Sequence, residues 1–164
     1  RSQTQNIKLI PSNYALDMII EKIINLLQPI AQAKSISLTK ELKENFSVFV
    51  DIDTISLVLR NLISNSIKFT PENGTITVGA VKSGEMINVF IKDNGVGIKK
   101  DILDNMFKVK FNATTRGTKN EIGSGLGIVL CKDFVEKNGG KIWAESEVGK
   151  GTTFFFSIPV SSNN

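Results

Sequence analysis

Asn61-Leu62-Ile63-Ser64-Asn65-Ser66-Ile67-Lys68-Phe69-Thr70 carries two patterns at once. Leu62, Ile63 and Ile67, continued upstream by Ile55, Val58 and Leu59, recur at helical spacing and define an apolar face. Asn61 and Asn65 are four apart and stack on another side of the same helix, with Lys68 next along it. Asparagine is a poor helix former, so two of them in mid-helix beside an amine require a reason. One reason is a binding stripe, since an amide oxygen can ligate Mg²⁺ and an ammonium can neutralise phosphate. The other is a plain solvent-facing stripe, and taken alone the stretch leaves both open. Asp53 is the N-cap that the sequence predicts for this helix, which runs through Lys68.

Downstream, Pro71-Glu72-Asn73-Gly74 signals a turn. Thr75 to Val81 and Met86 to Lys92 then read as a hairpin around Lys82-Ser83-Gly84-Glu85. The second strand delivers Asp93 to its end, and Asp93-Asn94-Gly95-Val96-Gly97-Ile98 follows as a glycine-rich turn. A carboxylate there can accept a hydrogen bond from an exocyclic amine, and the glycines let the backbone approach a ligand closely. A plain turn is the alternative; an EF-hand is excluded, because the further spaced carboxylates and the closing Glu are missing. Lys100 to Met106 predicts a short helix, and Lys108 to Ile122 a polar, aperiodic loop.

Gly123-Ser124-Gly125-Leu126-Gly127 opens a further long helix to Lys137. Glycine N–H groups at a helix N-terminus form an anion cradle. The spacing is neither G-x-G-x-x-G nor a P-loop, and a simple hinge is the alternative. Asn138-Gly139-Gly140 stops the helix. Lys141 to Ser146 and Thr152 to Pro159 are the last strands, around Val148-Gly149-Lys150-Gly151.

Upstream, Ile7 to Pro11 is an extended lead-in. From Asn13 a helix carries Leu16, Ile19, Ile20, Ile23, Ile24, Leu27, Ile30 and Ala31 on its apolar stripe, with Pro29 in its last turn. Ser35 to Leu42 and Ser47 to Ile52 read as strands around a Glu44-Asn45 turn. Three long helices and five or six strands in consecutive pairs predict an α+β fold. It is a two-layer sandwich: a mixed, mostly antiparallel sheet of about five strands with three long helices on one face. Strict βαβα alternation is absent, which argues against a doubly wound dinucleotide fold.

Composition narrows the chemistry. The 164 residues fit one domain and contain no histidine and one cysteine, Cys131. Imidazole general bases, Ser-His dyads, His-ligated metals, intrachain disulfides and thiolate zinc cages are therefore excluded for this chain. Any metal must be a hard cation on oxygen ligands. Cys131 and Trp143 read as packing residues. The net charge of +4 arises from basic residues interleaved with acids, as in Lys40-Glu41 and Glu136-Lys137, so no clustered phosphate footprint points to nucleic acid. No apolar run approaches the roughly 20 residues of a membrane span, and Arg1 to Asn6 is not a signal peptide. The chain reads as cytoplasmic, either free or as the cytoplasmic part of a membrane-anchored protein, with no membrane contact of its own.

In this order and spacing the motifs resemble the GHKL superfamily of ATP-binding domains, the Bergerat fold. Within it the chain looks like the catalytic ATP-binding domain of a bacterial sensor histidine kinase. Asn61 to Thr70 matches that family's N box, Asp93 to Gly97 its first glycine box and Gly123 to Gly127 its second. Met106-Phe107 and Phe111 resemble the F box, and Asn138 to Trp143 with Gly149 to Thr152 also look like the family. The resemblance spans Ile7 to Pro159.

It implies that ATP and Mg²⁺ bind here. Asn65 would be the Mg²⁺ ligand, Asn61 would lie near the phosphates, Lys68 would contact phosphate and Phe69 would pack beside the nucleotide. Asp93 would accept from the adenine 6-amino group, with Gly95, Gly97 and Ile98 beside the base and Thr152 supporting it. Gly123, Ser124, Gly125, Leu126 and Gly127 would carry the triphosphate. Lys108 to Ile122 would be the ATP lid. Ala113 stands where many relatives have Arg, leaving Arg116 as the substitute for a γ-phosphate contact.

Position 61 separates the enzyme readings. Gyrase-, chaperone- and mismatch-repair-type relatives use a Glu there to activate water, and an amide cannot take a proton at neutral pH. Asn61 therefore points to phosphoryl transfer onto a histidine of a separate dimerisation domain, with a response regulator downstream. A GHKL-type ATPase and a nucleotide-binding regulatory module without transfer activity are the alternatives. Residues 1–6 would end the preceding helical domain or a linker, 7–160 would be the catalytic domain and 161–164 a tail.

Overall fold

Alternating burial along the strands sets the layers. Ile76 and Val78, then Ile87, Val89 and Ile91, then Phe154, Phe156 and Ile158 all point to one side and are buried. The computed structural model describes residues 7–108 and 126–162, with only the backbone of Leu126. In chain order its elements are β1 (Ser12–Ala15), α1 (Leu16–Ala33), β2 (Ser37–Glu41), β3 (Ser47–Val50) and α2 (Ile52–Phe69). There follow β4 (Thr75–Ser83), β5 (Met86–Asp93), α3 (Lys100–Asn105), α4 (Leu126–Lys137), β6 (Ile142–Glu147) and β7 (Gly151–Pro159).

Five strands form one mixed sheet in the order β2-β4-β5-β7-β6. The β2–β4 pair is parallel and the other three pairs are antiparallel. The apolar stripes of α1, α2 and α4 cover the inner face and share one core with it. This is the two-layer α+β sandwich expected from the sequence. The β4–β5 and β6–β7 hairpins also form, in the registers Val78↔Ile91 and Ala144↔Phe154. On the open face Trp143 stacks on Phe155, with ring centroids 5.1 Å apart, so it packs on the sheet.

Four local expectations are corrected. Asn13 does not begin a helix: Ser12–Ala15 pairs antiparallel with Ser47–Val50 as a separate two-stranded sheet, and α1 starts at Leu16. The segments flanking Glu44-Asn45 do not pair with each other, because β2 joins β4 in the main sheet while β3 joins β1. Asp51, not Asp53, caps α2, its carboxylate accepting from the Thr54 N–H at 2.9 Å. Ile30 belongs to the helical stripe by spacing but is 56% exposed. Pro29 lies inside α1, which continues to Ala33.

A buried polar knot fixes α4 to the start of α2. The Asp51 N–H donates to Asn138 Oδ1 at 2.8 Å, while Asn138 Nδ2 donates to Thr54 Oγ1 at 3.0 Å and to the Phe134 carbonyl at 2.8 Å. Every arm of this asparagine is satisfied, which makes its burial affordable and sets α4 in one register on α2.

Candidate nucleotide site

Helix α2 is apolar on its core side, and its polar stripe comes out where α4 and the β5 end converge. Asn61, Asn65, Lys68 and Phe69 are all half-buried on it, whereas Ser66 is fully buried. The first turn of α4 lies directly over Asn61. A Cβ on Gly127 would stand 3.3 Å from Asn61 Oδ1. An amide oxygen thus faces the helix N-terminus, where backbone N–H groups gather.

Asp93 closes the other end. It is 6% exposed, and its Oδ1 accepts from the Gly95 N–H at 2.9 Å and the Thr152 N–H at 3.1 Å. Burial pushes its carboxyl above the usual carboxylate range, a rise that the Gly95 and Thr152 N–H groups and the neighbouring Ser66 hydroxyl only partly offset. Both of these N–H groups donate to the same oxygen, Oδ1.

Three hydrogen bonds clamp the glycine-rich turn between two elements. The Val96 N–H donates to the Phe69 carbonyl at 3.1 Å, tying the turn to the end of α2. The Gly149 N–H donates to the Val96 carbonyl, and the Ile98 N–H to Ser146 Oγ at 2.8 Å, tying it to the β6–β7 hairpin. Gly97 has φ +79°, and a Cβ there would stand 2.3 Å from the Glu147 carbonyl oxygen. Only glycine satisfies both the left-handed backbone and that approach.

Asn61, Asn65, Lys68, Phe69, Asp93, Gly95, Gly97, Ile98, Gly127 and Thr152 therefore sit on elements that these contacts join. Gly123, Ser124, Gly125 and Arg116, with Phe111, Ala113 and the lid from residue 109 to 122, lie outside the described residues, as does the side chain of Leu126. Phe107 packs against the core edge. Cys131 is fully buried, and burial pushes its thiol up to about 12, so it is an inert packing residue.

Sequence reading missed three supporting residues. Lys34, at the end of α1, is 5% exposed and its Nζ donates to the Ile67 and Lys68 carbonyls at 2.8 and 3.0 Å. It thereby holds the C-terminal carbonyls of α2 from which Lys68 and Phe69 project. Ser146 Oγ links the Gly151 carbonyl, the Thr152 hydroxyl and the turn at Ile98. Ser66 lies beside Asp93. Lys34 and Ser146 depend on contacts 33 and 48 residues away, and no local spacing marks them. Ser66 stood inside the quoted motif, and its small polar side chain on the buried side of α2 was a signal that went unused.

The donor set suits a hard cation shared with a ligand. Among the described residues no cluster of three or more acids or cysteines could hold a metal alone. Mg²⁺ commonly takes one or two protein oxygens and completes its shell with water and phosphate, which fits a single half-buried amide such as Asn65.

Known proteins share this fold. Residues 50–162 match the family model described as histidine kinase-, DNA gyrase B- and HSP90-like ATPase. The chain is 30% identical over 162 residues to the adaptive-response sensory kinase SasA of Synechococcus elongatus, covering 98% of this chain and 41% of that protein. It is 38% identical over 114 residues to the sensor histidine kinase WalK of Bacillus subtilis, covering 68% of this chain and 19% of that protein. The chain thus spans well under half the length of these relatives. The catalytic domain of the histidine kinase ThkA superposes with a TM-score of 0.80 at 28% identity, over 92% of this chain and 96% of that one. ThkA in complex with the response regulator TrrA superposes with a TM-score of 0.76 at 27% identity, over 92% of this chain and 42% of that one. Residues 50–162 are 113 of the 164 residues, and on that match the chain belongs to the histidine kinase-, DNA gyrase B- and HSP90-like ATPase family.

Proposed function

We propose that this chain binds Mg²⁺-ATP and presents the γ-phosphate to a histidine on a separate dimerisation domain, as the catalytic part of a two-component sensor kinase. The observation that carries the transfer reading is Asn61, an amide at the mouth of α4. An amide cannot deprotonate water, so the hydrolytic route lacks its base here. What remains is positioning and charge neutralisation, which phosphoryl transfer chiefly requires.

In this reading Asp93 accepts from the base's amine, and Gly95, Gly97, Ile98 and Thr152 shape the pocket around it. Lys68 neutralises phosphate, Phe69 packs beside the nucleotide, and Asn65 offers the metal its protein oxygen. A metal bound there would supply charge neutralisation. Gly123 to Gly127 cradle the triphosphate and Arg116 meets the γ-phosphate. Residues 7–160 form the catalytic unit. A need for ATP supports a cytoplasmic location for this unit. The absence of histidine supports a partner that brings the acceptor, and the ThkA–TrrA complex supports a response regulator downstream.

The test mixes this chain and Mg²⁺-ATP with a dimeric, histidine-bearing helical domain of a related kinase. Acid-labile, base-stable phosphate on that domain is the expected result. Free phosphate release at the same rate with no protein label would overturn the transfer reading in favour of an ATPase.

A further inference from the structure

The inner side of the β6–β7 hairpin changes character at one end. Ile142 and Ala144 of β6 pack against the core, as do Phe154, Phe156 and Ile158 of β7. The next inward pair in the same period-two rows is Ser146 and Thr152, which are register partners. Two hydroxyls therefore take the place of apolar side chains just where this sheet meets Asp93.

Ser146 Oγ has one proton to give and room for two accepted bonds, and all three are used. It accepts from the Ile98 N–H at 2.8 Å and donates to the Gly151 carbonyl, which can only accept, at 3.0 Å. The contact with the Thr152 hydroxyl, at 2.8 Å, is then donated by Thr152.

These bonds close a ring around the Asp93 carboxylate. From Ser146 the ring runs to Ile98 and back along the glycine-rich turn to Asp93. It continues from Asp93 Oδ1 to the Thr152 N–H, and from the Thr152 hydroxyl to Ser146. Gly151, whose carbonyl Ser146 holds, lies so close to the Asp93 carbonyl oxygen that a Cβ would not fit. The Gly149 N–H also crosses to the turn, but at the exposed tip of the hairpin, whereas Ser146 crosses beside the buried carboxylate.

We propose that Ser146 is a positioning residue for nucleotide binding: through Ile98 and Thr152 it holds the turn and the Asp93 carboxylate in the arrangement that receives the base's amine. In this role Ser146 acts through its neighbours and not by contact with the ligand. An acceptor already held in place needs no ordering when the ligand arrives, and that is the gain Ser146 supplies. The inference rests on the nucleotide reading above and extends it from the residues around the base to the strand behind them.

The test crosses Ser146→Ala with removal of the amine from the ligand. Dissociation constants are measured on wild-type and variant chains for ATP and for purine riboside triphosphate, which lacks the 6-amino group, both with Mg²⁺. Ser146→Ala should weaken ATP roughly 3- to 10-fold and the amine-free analogue less than about twofold, the size expected of one neutral hydrogen bond. A general loss of structure would weaken both ligands alike. Amide hydrogen exchange on the nucleotide-free chains gives a second readout. The Gly95 N–H, which Ser146 does not touch, should exchange faster in the variant because its acceptor on Asp93 is no longer held, while the sheet amide of Val89 keeps its wild-type rate.

Equal weakening of both ligands, no weakening of ATP, or unchanged exchange at Gly95 would each overturn the assignment. Failure of the wild-type chain to bind ATP at all would instead overturn the nucleotide reading, and the exchange at Gly95 would still report whether Ser146 holds the turn.

Discussion

Replacing Asp93 with Asn separates what this carboxylate does for a ligand from what it does to the fold. The change keeps the oxygen that accepts from the Gly95 and Thr152 N–H groups at 2.9 and 3.1 Å, so the turn should stay clamped. It replaces Oδ2 with an NH₂ that would face the exocyclic amine of adenine, donor against donor. A hydrogen bond to a charged group contributes about 1.5–3 kcal/mol, so losing it should weaken ATP binding roughly 12- to 150-fold. A carbonyl at the same ring position, as in GTP, would find the new donor and should gain.

Stability should move the other way. Asp93 binds its proton more tightly folded than unfolded, since burial raises its pKa. Its contribution is therefore most favourable at low pH and is lost as pH rises from the ordinary value near 3.8 through the raised folded value. At neutral pH the nucleotide-free chain carries the full penalty, and Asp93→Asn should raise its melting temperature. Nucleotide titration by calorimetry with ATP and GTP, paired with thermal unfolding of the free chain, reads both effects. An unchanged ATP-to-GTP preference would refute the role in base selection. A lowered melting temperature would refute the account of its burial.

Other consequences concern the helix ends and the metal. Asn65→Ala should abolish most of the Mg²⁺-dependent gain in ATP affinity, about 10-fold or more if a charged contact is lost, seen by titrating with and without EDTA. Lys34→Met leaves the Ile67 and Lys68 carbonyls short of a buried donor and should cost about 2–4 kcal/mol, read as a lower urea midpoint at unchanged slope. Burial alone would raise Asp51, but N–H donors from Ile10, Thr54 and Asp53 and the Thr54 hydroxyl together outweigh it and hold its pKa below 3.8. Its capping contribution is thus present above that value and lost as pH falls through the folded pKa. Asp51→Ala should cost about 1 kcal/mol at pH 7 and flatten this part of the acid unfolding limb.

Much of the site was legible because its residues are set out at helical or turn spacing. Asn61, Asn65 and Lys68 share a helix side by 3.6-residue geometry alone, and Gly95 and Gly97 announce a tight turn wherever the chain runs. The hairpins β4–β5 and β6–β7 were equally local, since short turns bring neighbouring strands together.

Local pattern lost its hold where distant strands compete. Ser12–Ala15 has helical neighbours but finds unpaired backbone on Ser47–Val50, and pairing there satisfies groups that one more helical turn would leave to solvent. For the same reason β2 abandons β3 for β4, with which it aligns in parallel after the α2 crossover. Asp51 outcompetes Asp53 as cap because Asn138, 87 residues away, holds its N–H in the required place.

The sequence by itself determined the elements, the amphipathic faces and the chemical character of the motif residues, because these follow from the spacing of neighbours. Only the tertiary structure decided which of those residues are buried against one another. It placed Gly127 over Asn61, shut Asp93 under Gly95 and Thr152, and buried Ser66 beside it. Burial and long-range approach are properties of the packed layers, and they turn a polar stripe on a helix into a pocket with a chemistry.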